Sequence, residues 1–270
     1  MSVTAALSSE TLLRGQRVLV TGAGRGIGRA MALICHEAGA RVAITSRTVQ
    51  QLEETAALEG DNGDGDSNCF KILPCDVTAQ DQVQGMIQEI VKEWGGIDIL
   101  INNCGGAQRQ KGPADTLYSA DLRDLLDLNV VAVHTVTSCV LQHAMQGSTG
   151  GQIVNISSRA GKMGLPNMSF YVASKFALEG YTAAVAAELQ DRGVRVNSLS
   201  PGMVDTASFP KAPGKPGVRT AESVRDGLLT LLTTDVTGHY LHVDELDQAR
   251  AKGLPDSVAL KPINEPMFSP

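Results

Sequence analysis

The chain has 270 residues, of which 43% are hydrophobic and 19% charged, and its formal net charge at pH 7 is −6. This composition supplies a sizeable apolar core and excludes wholesale disorder. The negative charge and the lack of a long basic run argue against a duplex-binding surface or an anionic-membrane partner, because both need concentrated Lys and Arg.

In chain order, short apolar runs alternate with helix-forming segments. Strands are predicted at residues 16–24, 40–46, 69–77, 97–105, 151–158, 193–202 and 238–243. Helices are predicted at residues 27–38, 50–58, 79–94, 119–146, 169–193 and 220–233. Alternation of this kind predicts an α/β fold, with a parallel sheet covered by helices on both faces.

No repeat or linker interrupts the pattern, which predicts one domain over residues 15–243 between an N-terminal extension (1–14) and an irregular C-terminal tail (244–270). The extension lacks the charged start and apolar stretch of a secretory signal, and no stretch approaches the ~20 apolar residues of a membrane span. Five cysteines without a CxxC pair indicate neither a disulfide framework nor a metal site. The acidic run at 61–66 lacks the spacing of a calcium loop and is predicted to be a solvated turn. We therefore expect a cytoplasmic protein without a metal.

A glycine-rich turn, TGAGRGIG at residues 21–28, stands where the first predicted strand becomes the first helix. Glycines allow a tight turn and the close approach of a pyrophosphate, and the helix N-terminus offers free N–H groups to it. A strand-to-helix connection without a ligand is the alternative, but the position at the first βα junction favours a nucleotide. The turn residues expected to contact it are Gly22, Gly24, Arg25, Gly26, Ile27 and Gly28.

Tyr171 and Lys175 are four residues apart in a predicted helix, which places both on one helix face. A fixed ammonium favours phenolate, so Lys175 is expected to lower the pKa of Tyr171 from its ordinary value near 10. The tyrosine can then exchange a proton with a carbonyl or alcohol oxygen. Taken alone, the pair is more typical of a solvated helix face with a packed ring.

Further short motifs follow one another in a fixed order: CDV (75–77), NNCG (102–105), LNV (128–130), the Ser158–Tyr171–Lys175 set and SPGMVDT (200–206). With the TGxxxGxG turn, they resemble the short-chain dehydrogenase/reductase family over roughly residues 15–243. The resemblance implies a Rossmann-type doubly wound parallel sheet and an assembly, homodimer or homotetramer, through the helices at 119–146 and 169–190. Two departures stand out: Cys104 replaces the alanine of NNAG, and VDGG reads VDEL at 243–246.

The resemblance also implies roles for individual residues. Ser158, thirteen residues before Tyr171, is expected to orient the carbonyl, with Ser157 as the open alternative. Asn129 is expected to hold a water that connects Lys175 to solvent; the alternative is a helix-interior asparagine that satisfies its own backbone. Lys175 is also expected to bind ribose hydroxyls. The remaining cofactor contacts implied are Asp76, Val77, Asn103, Tyr171, Pro201, Gly202, Val204 and Thr206.

The end of the second strand indicates which dinucleotide is used. An enzyme that prefers NAD usually carries an acidic residue there, which accepts from the ribose hydroxyls. This chain has Ser46 and Arg47 instead. A guanidinium suits a 2′-phosphate, and Arg25 can approach it from the other side. The alternative is that both arginines are solvated surface residues.

These observations predict an NADP(H)-dependent oxidoreductase that moves a hydride between its cofactor and a carbonyl or secondary alcohol. The alternatives are a 3-oxoacyl reductase of lipid metabolism and a non-catalytic, cofactor-binding regulatory protein. The segment 207–218 is expected to form the lid of the site. Its prolines and lysines, and its small apolar surface, predict an open mouth for a small-molecule substrate.

Overall fold

The computed structural model describes residues 12–58, 70–145, 150–207, 209–212 and 215–264; the predicted acidic turn and Cys69 lie outside these ranges. One sheet has the strand order β3-β2-β1-β4-β5-β6-β7-β8. The strands are β1 (Arg17–Thr21), β2 (Arg41–Ser46), β3 (Lys71–Pro74), β4 (Ile99–Asn102), β5 (Gly151–Ile156), β6 (Val194–Ser200), β7 (His239–His242) and β8 (Leu260–Pro262). The α-helices are α1 (Gly26–Glu37), α2 (Val49–Ala56), α3 (Gln80–Trp94), α4 (Ser119–Leu126), α5 (Ala132–His143), α6 (Ser169–Glu188), α7 (Arg225–Thr233) and α8 (Val243–Ala251).

The seven strands β1 to β7 pair in parallel, and β8 adds an antiparallel edge beside β7. Parallel neighbours need long crossover connections, which the helices supply on both faces of the sheet. The predicted Rossmann-type doubly wound sheet is therefore confirmed, with one antiparallel strand added. Because β1 lies between β2 and β4, the strand order reverses there, and the carboxyl ends of these strands border a crevice.

Alternate residues of the central strands pack into two different cores. Val18 and Val20 of β1 belong to a core shared with α1, α7 and α8, whereas Leu19 between them joins a core with α3, α5 and α6. All four residues of β4 are buried. Burial on both faces explains the continuous apolar runs of the sequence and fixes the carboxyl edge on which the site is built.

The long helix predicted over residues 119–146 is interrupted, so that prediction needs a correction. α4 ends at Leu126, Asp127–Val131 form a π-helical turn, and α5 then ends at His143. Such a turn carries an extra residue and is often found at functional sites. Asn129 lies on it and is only 1% exposed.

The whole stretch Ser119–His143 is long and apolar enough, by length and composition alone, to cross a membrane. This was not expected from the sequence. Val136 and Val140 of its second half are nevertheless buried in the same core as Ile87 and Ile90 of α3. A helix packed in this way has the character of a core helix.

The sequence predicts an irregular tail from residue 244, and this prediction is wrong for the described part. The tail contains most of α8 and the edge strand β8. The His242 side chain accepts a hydrogen bond from the Asp244 N–H and caps α8, and Asp244 lies in the first turn, where a carboxylate is favourable. Val243 and Leu246 are fully buried, so this helix is anchored to the core.

Candidate active site

A cavity of about 680 Å³ opens at the carboxyl edge of the sheet. Its walls come from the glycine turn, the ends of β2 and β5, the segments after β4 and β6, and the beginning of α6. The predicted site residues that line it are Gly22, Gly24, Arg25, Gly26, Ile27, Gly28, Ser46, Arg47, Asp76, Val77, Asn103, Ser158, Tyr171, Lys175, Pro201, Gly202, Val204 and Thr206. Asn129 lies behind the wall.

The glycine turn is folded tightly upon itself. A Cβ atom on Gly28 would lie 2.2 Å from the carbonyl oxygen of Gly22, and Gly22 itself has a positive φ of 68°. The Asn103 side chain donates to the carbonyls of Thr21 (3.0 Å) and Gly22 (3.2 Å), and the Thr21 hydroxyl accepts from the Asn103 N–H (3.0 Å). These bonds tie the turn to the end of β4, a role for Thr21 and Asn103 that the sequence does not reveal.

The start of α1 faces the same cavity. Arg25 is the N-cap residue, with an extended backbone, and its side chain makes no capping hydrogen bond. The backbone N–H groups of the first turn therefore remain available as hydrogen-bond donors, and the partial positive charge of the helix N-terminus faces the cavity. Together with the cradle that a Cβ at Gly28 would fill, this arrangement fits the pyrophosphate of a dinucleotide.

Beyond the turn, the end of β2 carries the residues expected to select the cofactor. The Ser46 hydroxyl donates to the Thr48 carbonyl (3.3 Å), and the Arg47 guanidinium lies 3.9 Å from the Asp76 carboxylate. The Arg47 side chain is 77% exposed. Hydrogen bonds from Thr78, and to a smaller extent the Arg47 charge, lower the pKa of Asp76.

Tyr171 and Lys175 lie one helical turn apart on α6, as their spacing predicts. Lys175 Nζ is 5.9 Å from the centroid of the Tyr171 ring and donates to the Ile156 carbonyl oxygen (2.9 Å). Burial lowers the pKa of Lys175 to about 8, and the neighbouring Glu179 carboxylate opposes this shift.

The expectation of a lowered pKa for Tyr171 is wrong. Tyr171 is 8% exposed, and its burial disfavours the phenolate more than the hydrogen bond with Ser158 favours it, so the pKa of Tyr171 is raised. Of the two candidate serines, Ser158 makes this contact. Ser157 also lines the cavity, but its buried hydroxyl has no hydrogen-bond partner among the residues that the structure describes.

The first turn of α6 is held by a residue that no motif singles out. The buried Gln108 side chain accepts from the N–H groups of Phe170 (3.0 Å) and Tyr171 (3.1 Å), which otherwise lack partners within the helix. Its amide donates to the carbonyls of Gln110 and Asn167. Gln108 therefore fixes the backbone that carries Tyr171.

Asn129 connects the π-helical turn to both sides of the site. Its carbonyl oxygen accepts from the Gly106 N–H (2.7 Å), and its amide donates to the Gly106 carbonyl (3.1 Å) and to the Ser174 hydroxyl (3.0 Å). Ser174 in turn donates to the Tyr171 carbonyl (2.8 Å). Asn129 is therefore hydrogen-bonded to α6 at Ser174, the residue that precedes Lys175 in the sequence.

The other half of the cavity is formed by irregular segments around residues 105–113, 203–207, 209–212 and 215–219, with two isolated bridges. The ring of Phe209 packs against that of Tyr171 with centroids 5.5 Å apart, and Leu165 and Met168 pack there too. Of these three residues, Phe209 belongs to the lid. Lys111, Lys211 and Lys215 also line this half.

Of the two departures from the family pattern, Cys104 lies at the cavity, and residues 243–246 directly follow the cavity-lining His242. Burial raises the pKa of the Cys104 thiol, which disfavours a thiolate nucleophile. At the second departure, VDEL stands where the family commonly has VDGG. The Asp244 carboxylate accepts a hydrogen bond (3.0 Å) from Arg219, the residue that directly follows the lid segment. The contact of His242 with the cavity is one that the sequence does not indicate.

Comparison with known proteins now identifies the class. Residues 16–215 match the family model described as short chain dehydrogenase, so the chain belongs to the short-chain dehydrogenase/reductase family. The D-threitol dehydrogenase of Mycolicibacterium smegmatis is 34% identical over 248 residues, which cover 92% of this chain and 89% of that protein.

A second relative, the 3-oxoacyl-acyl-carrier-protein reductase of Vibrio cholerae, is 32% identical over 194 residues, with 72% of this chain and 75% of that protein covered. Among solved structures, a short chain dehydrogenase from Shigella flexneri complexed with NADP matches with a TM-score of 0.77 and 28% identity. The match covers 87% of this chain and 99% of that chain.

Proposed function

We propose that the protein is an NADP(H)-dependent oxidoreductase that transfers a hydride between the cofactor and a carbonyl or secondary alcohol. The observation that carries the proposal is one cavity in which Ser158, Tyr171 and Lys175 adjoin a turn fitted to a dinucleotide. The NADP complex of the structural neighbour from Shigella flexneri supports the choice of cofactor. When bound, the nicotinamide supplies or accepts the hydride.

The chain's own residues supply the proton and hold the reacting oxygen. Because burial raises the pKa of Tyr171, its phenol stays protonated at neutral pH and can donate to the oxygen of a carbonyl substrate. The Ser158 hydroxyl, which shares a hydrogen bond with that phenol, donates to the same oxygen and stabilises its developing charge. In the oxidation direction the proton returns to Tyr171.

Lys175 and Asn129 support the same proton exchange without contacting the reacting oxygen. The Lys175 ammonium binds ribose hydroxyls and stabilises the phenolate that is left when the proton departs. Its contact with the Ile156 carbonyl fixes the ammonium beside the ring. Asn129, joined to α6 through Ser174, orders a water that returns a proton from solvent toward Lys175.

The preference for NADP(H) over NAD(H) is assigned to the end of β2. Arg47 is exposed and paired only at 3.9 Å with Asp76, so its guanidinium remains available to a 2′-phosphate. Gly24 allows the turn to approach Ser46: a Cβ on this glycine would lie 2.9 Å from the Ser46 hydroxyl oxygen. The two side chains thus border the space next to the turn.

We further propose association of copies through α4, α5 and α6. Tyr118, Val131 and Phe176, at or on these helices, are large hydrophobic residues that are 47–72% exposed. Exposed apolar surface on neighbouring helices is a feature of protein interfaces. Reduction of a 3-oxoacyl group is the second candidate activity, favoured by the identity to the Vibrio cholerae reductase.

The experiment is a steady-state assay of NADPH oxidation with a broad carbonyl panel, and of NADP⁺ reduction with the corresponding alcohols. We expect turnover of at least one pair that requires both the cofactor and the substrate. Tight NADPH binding without turnover of any pair would contradict the enzymatic proposal and favour a regulatory protein.

A further inference from the structure

The cavity carries a charge opposite to that of the protein. The chain has a formal net charge of −6, yet among the described residues that line the cavity there are seven Lys or Arg side chains and one carboxylate, that of Asp76. Clustered cations of this kind attract anions and raise their local concentration. Arg25, Arg47 and Lys175 adjoin the proposed cofactor and account for only part of the excess.

Three further lysines lie together at the substrate half. Lys111 belongs to the segment after β4, whereas Lys211 and Lys215 belong to the lid after β6. All three line the same cavity, and burial, and after it the charges of Lys111 and Lys215, lower the pKa of Lys211, so Lys211 is close enough to each of the other two lysines to be repelled by it. Asp205 opposes this shift, and its carboxylate accepts from the Lys211 backbone N–H (2.8 Å).

No carboxylate in the described parts of the chain forms an ion pair with any of these three lysines. Like charges held together without a directly paired carboxylate destabilise a fold. Such an arrangement is favourable once an anion joins it, because each ammonium then gains a charge-assisted hydrogen bond. The cluster therefore has the electrostatics of an anion site.

The cluster is within reach of the proposed proton donor. The Tyr171 and Phe209 ring centroids are 5.5 Å apart, and Lys211 Nζ lies 5.5 Å from the centroid of the Phe209 ring. The Phe209 ring is thus a common neighbour of the Tyr171 ring and of the Lys211 ammonium. A small molecule with its carbonyl at Tyr171 and an anionic group a few bonds away can contact both.

We propose that the substrate is an anionic carbonyl compound or alcohol whose carboxylate or phosphate group is bound by Lys111, Lys211 and Lys215. This inference rests on the proposed function, since it assigns the reacting carbonyl to Tyr171. Phe209 covers the apolar bonds between the two ends. The lysines act on specificity and not on the proton transfer itself.

The test compares matched anionic and neutral substrates in the wild type and in the triple variant Lys111→Gln, Lys211→Gln, Lys215→Gln. Levulinate is paired with ethyl levulinate, and dihydroxyacetone phosphate with dihydroxyacetone, so the two pairs separate carboxylate from phosphate. Lys252→Gln, at an exposed position at the end of α8, is the control. The equilibrium Kd for NADPH is measured for every variant.

We expect the wild type and the control to favour at least one anionic partner by tenfold or more in kcat/KM, and added salt to reduce the preference. The triple variant should lose the preference because kcat/KM falls for the anionic substrate and stays unchanged for its neutral partner. The Kd for NADPH should also stay unchanged. Equal use of both partners by the wild type would overturn the proposal. A Kd for NADPH that rises as much as the preference falls would also overturn it, and would assign the lysines to the cofactor phosphates.

A binding measurement distinguishes failure of this inference from failure of the proposed function. Isothermal titration of levulinate and of dihydroxyacetone phosphate into the protein with saturating NADP⁺ needs no turnover. Binding of either anion that the triple variant loses would support the anion site even if no carbonyl is reduced. Equal binding of the anions and their neutral partners would contradict the site even if the enzyme turns over other carbonyls.

Discussion

The two halves of the cavity are built in different ways. The nucleotide half consists of strand ends and a helix start, where Gly22 and Gly28 approach each other so closely that no other residue fits without a shift. The substrate half consists of irregular segments joined by isolated bridges and side-chain contacts such as that of Phe209 with Tyr171. Backbone geometry therefore restricts the residues of the first half, whereas the second can change its side chains while the fold persists. Tyr171 and Lys175 stand at the boundary.

The largest effect is expected at the boundary itself. Tyr171→Phe keeps the ring that packs on Phe209 but removes the proton, so kcat should fall by ~10²–10⁴-fold, the usual contribution of a general acid. The Kd for NADPH, measured by fluorescence titration, should stay unchanged. Tyr181→Phe, further along α6 with its hydroxyl 3.3 Å from His134, is the matched control and should retain activity. More than a tenth of wild-type kcat in Tyr171→Phe would exclude this residue as the acid.

Lys175 should couple the nucleotide half to pH. Its ammonium is fully present below its pKa of about 8 and is lost as the pH rises through that value. Since the proposed hydrogen bonds to ribose need the charged form, the affinity for NADPH should weaken above pH 8, at most about tenfold per pH unit. Lys175→Met should bind NADPH more weakly at neutral pH and show no such decline. An equal decline in both proteins would assign the pH dependence to another group.

Within the nucleotide half, the end of β2 should decide between the two dinucleotides. We expect the wild type to favour NADPH over NADH at least tenfold in kcat/KM, about 1.4 kcal/mol of differential binding. Ser46→Asp combined with Arg47→Ile should erase or reverse this ratio through repulsion of the 2′-phosphate and a lost ion pair. Arg41→Gln, at the opposite end of the same strand, is the control. Equal use of both dinucleotides by the wild type would contradict the assigned role of Ser46 and Arg47 in cofactor preference.

The last effect concerns the backbone of the glycine turn and is measured as stability. Gly28→Ala brings a methyl group against the Gly22 carbonyl, so the free energy of unfolding should fall by about 1–3 kcal/mol, as in other overpacked sites, and NADPH should bind more weakly. Gly85→Ala on α3, where a Cβ meets nothing within 4 Å, should leave stability unchanged or raise it. Denaturant unfolding measures both. Equal stability of the two variants would mean that the turn tolerates a side chain.

The contrast between a half built from backbone geometry and a half built from side-chain contacts also determines how much the sequence can predict. Buried parallel strands produce apolar runs, and a tight turn requires glycines, so the sheet and the glycine turn are predictable from the sequence. The π-helical turn at Asn129 follows from packing and leaves no periodic signal. Burial of Tyr171 is likewise a tertiary property, which is why the direction of its pKa shift was predicted wrongly.

The prediction for the tail fails for a related reason, and the lid shows the same dependence on single contacts. The composition of 207–218 is dominated by prolines and lysines, yet the position of one ring, Phe209, determines what covers Tyr171. α8 depends on a cap from the His242 side chain and on burial of Leu246, two contacts that the prolines further along the tail obscure. Gln108 supports α6 from a loop without any recurring pattern.

On the proposed function, one cavity holds the cofactor, the substrate and the proton donor, so that a hydride passes between the cofactor and the substrate carbon while Tyr171 exchanges a proton with the substrate oxygen. The direct measurement is the fate of deuterium when a carbonyl substrate is reduced with NADPH deuterated at the transferring position of the nicotinamide. We predict one deuterium on the new carbinol carbon of the product, detected by mass spectrometry, and none at that carbon when unlabelled NADPH is used in D₂O. Product without the label from deuterated NADPH, or with deuterium taken from the solvent at that carbon, would contradict the account.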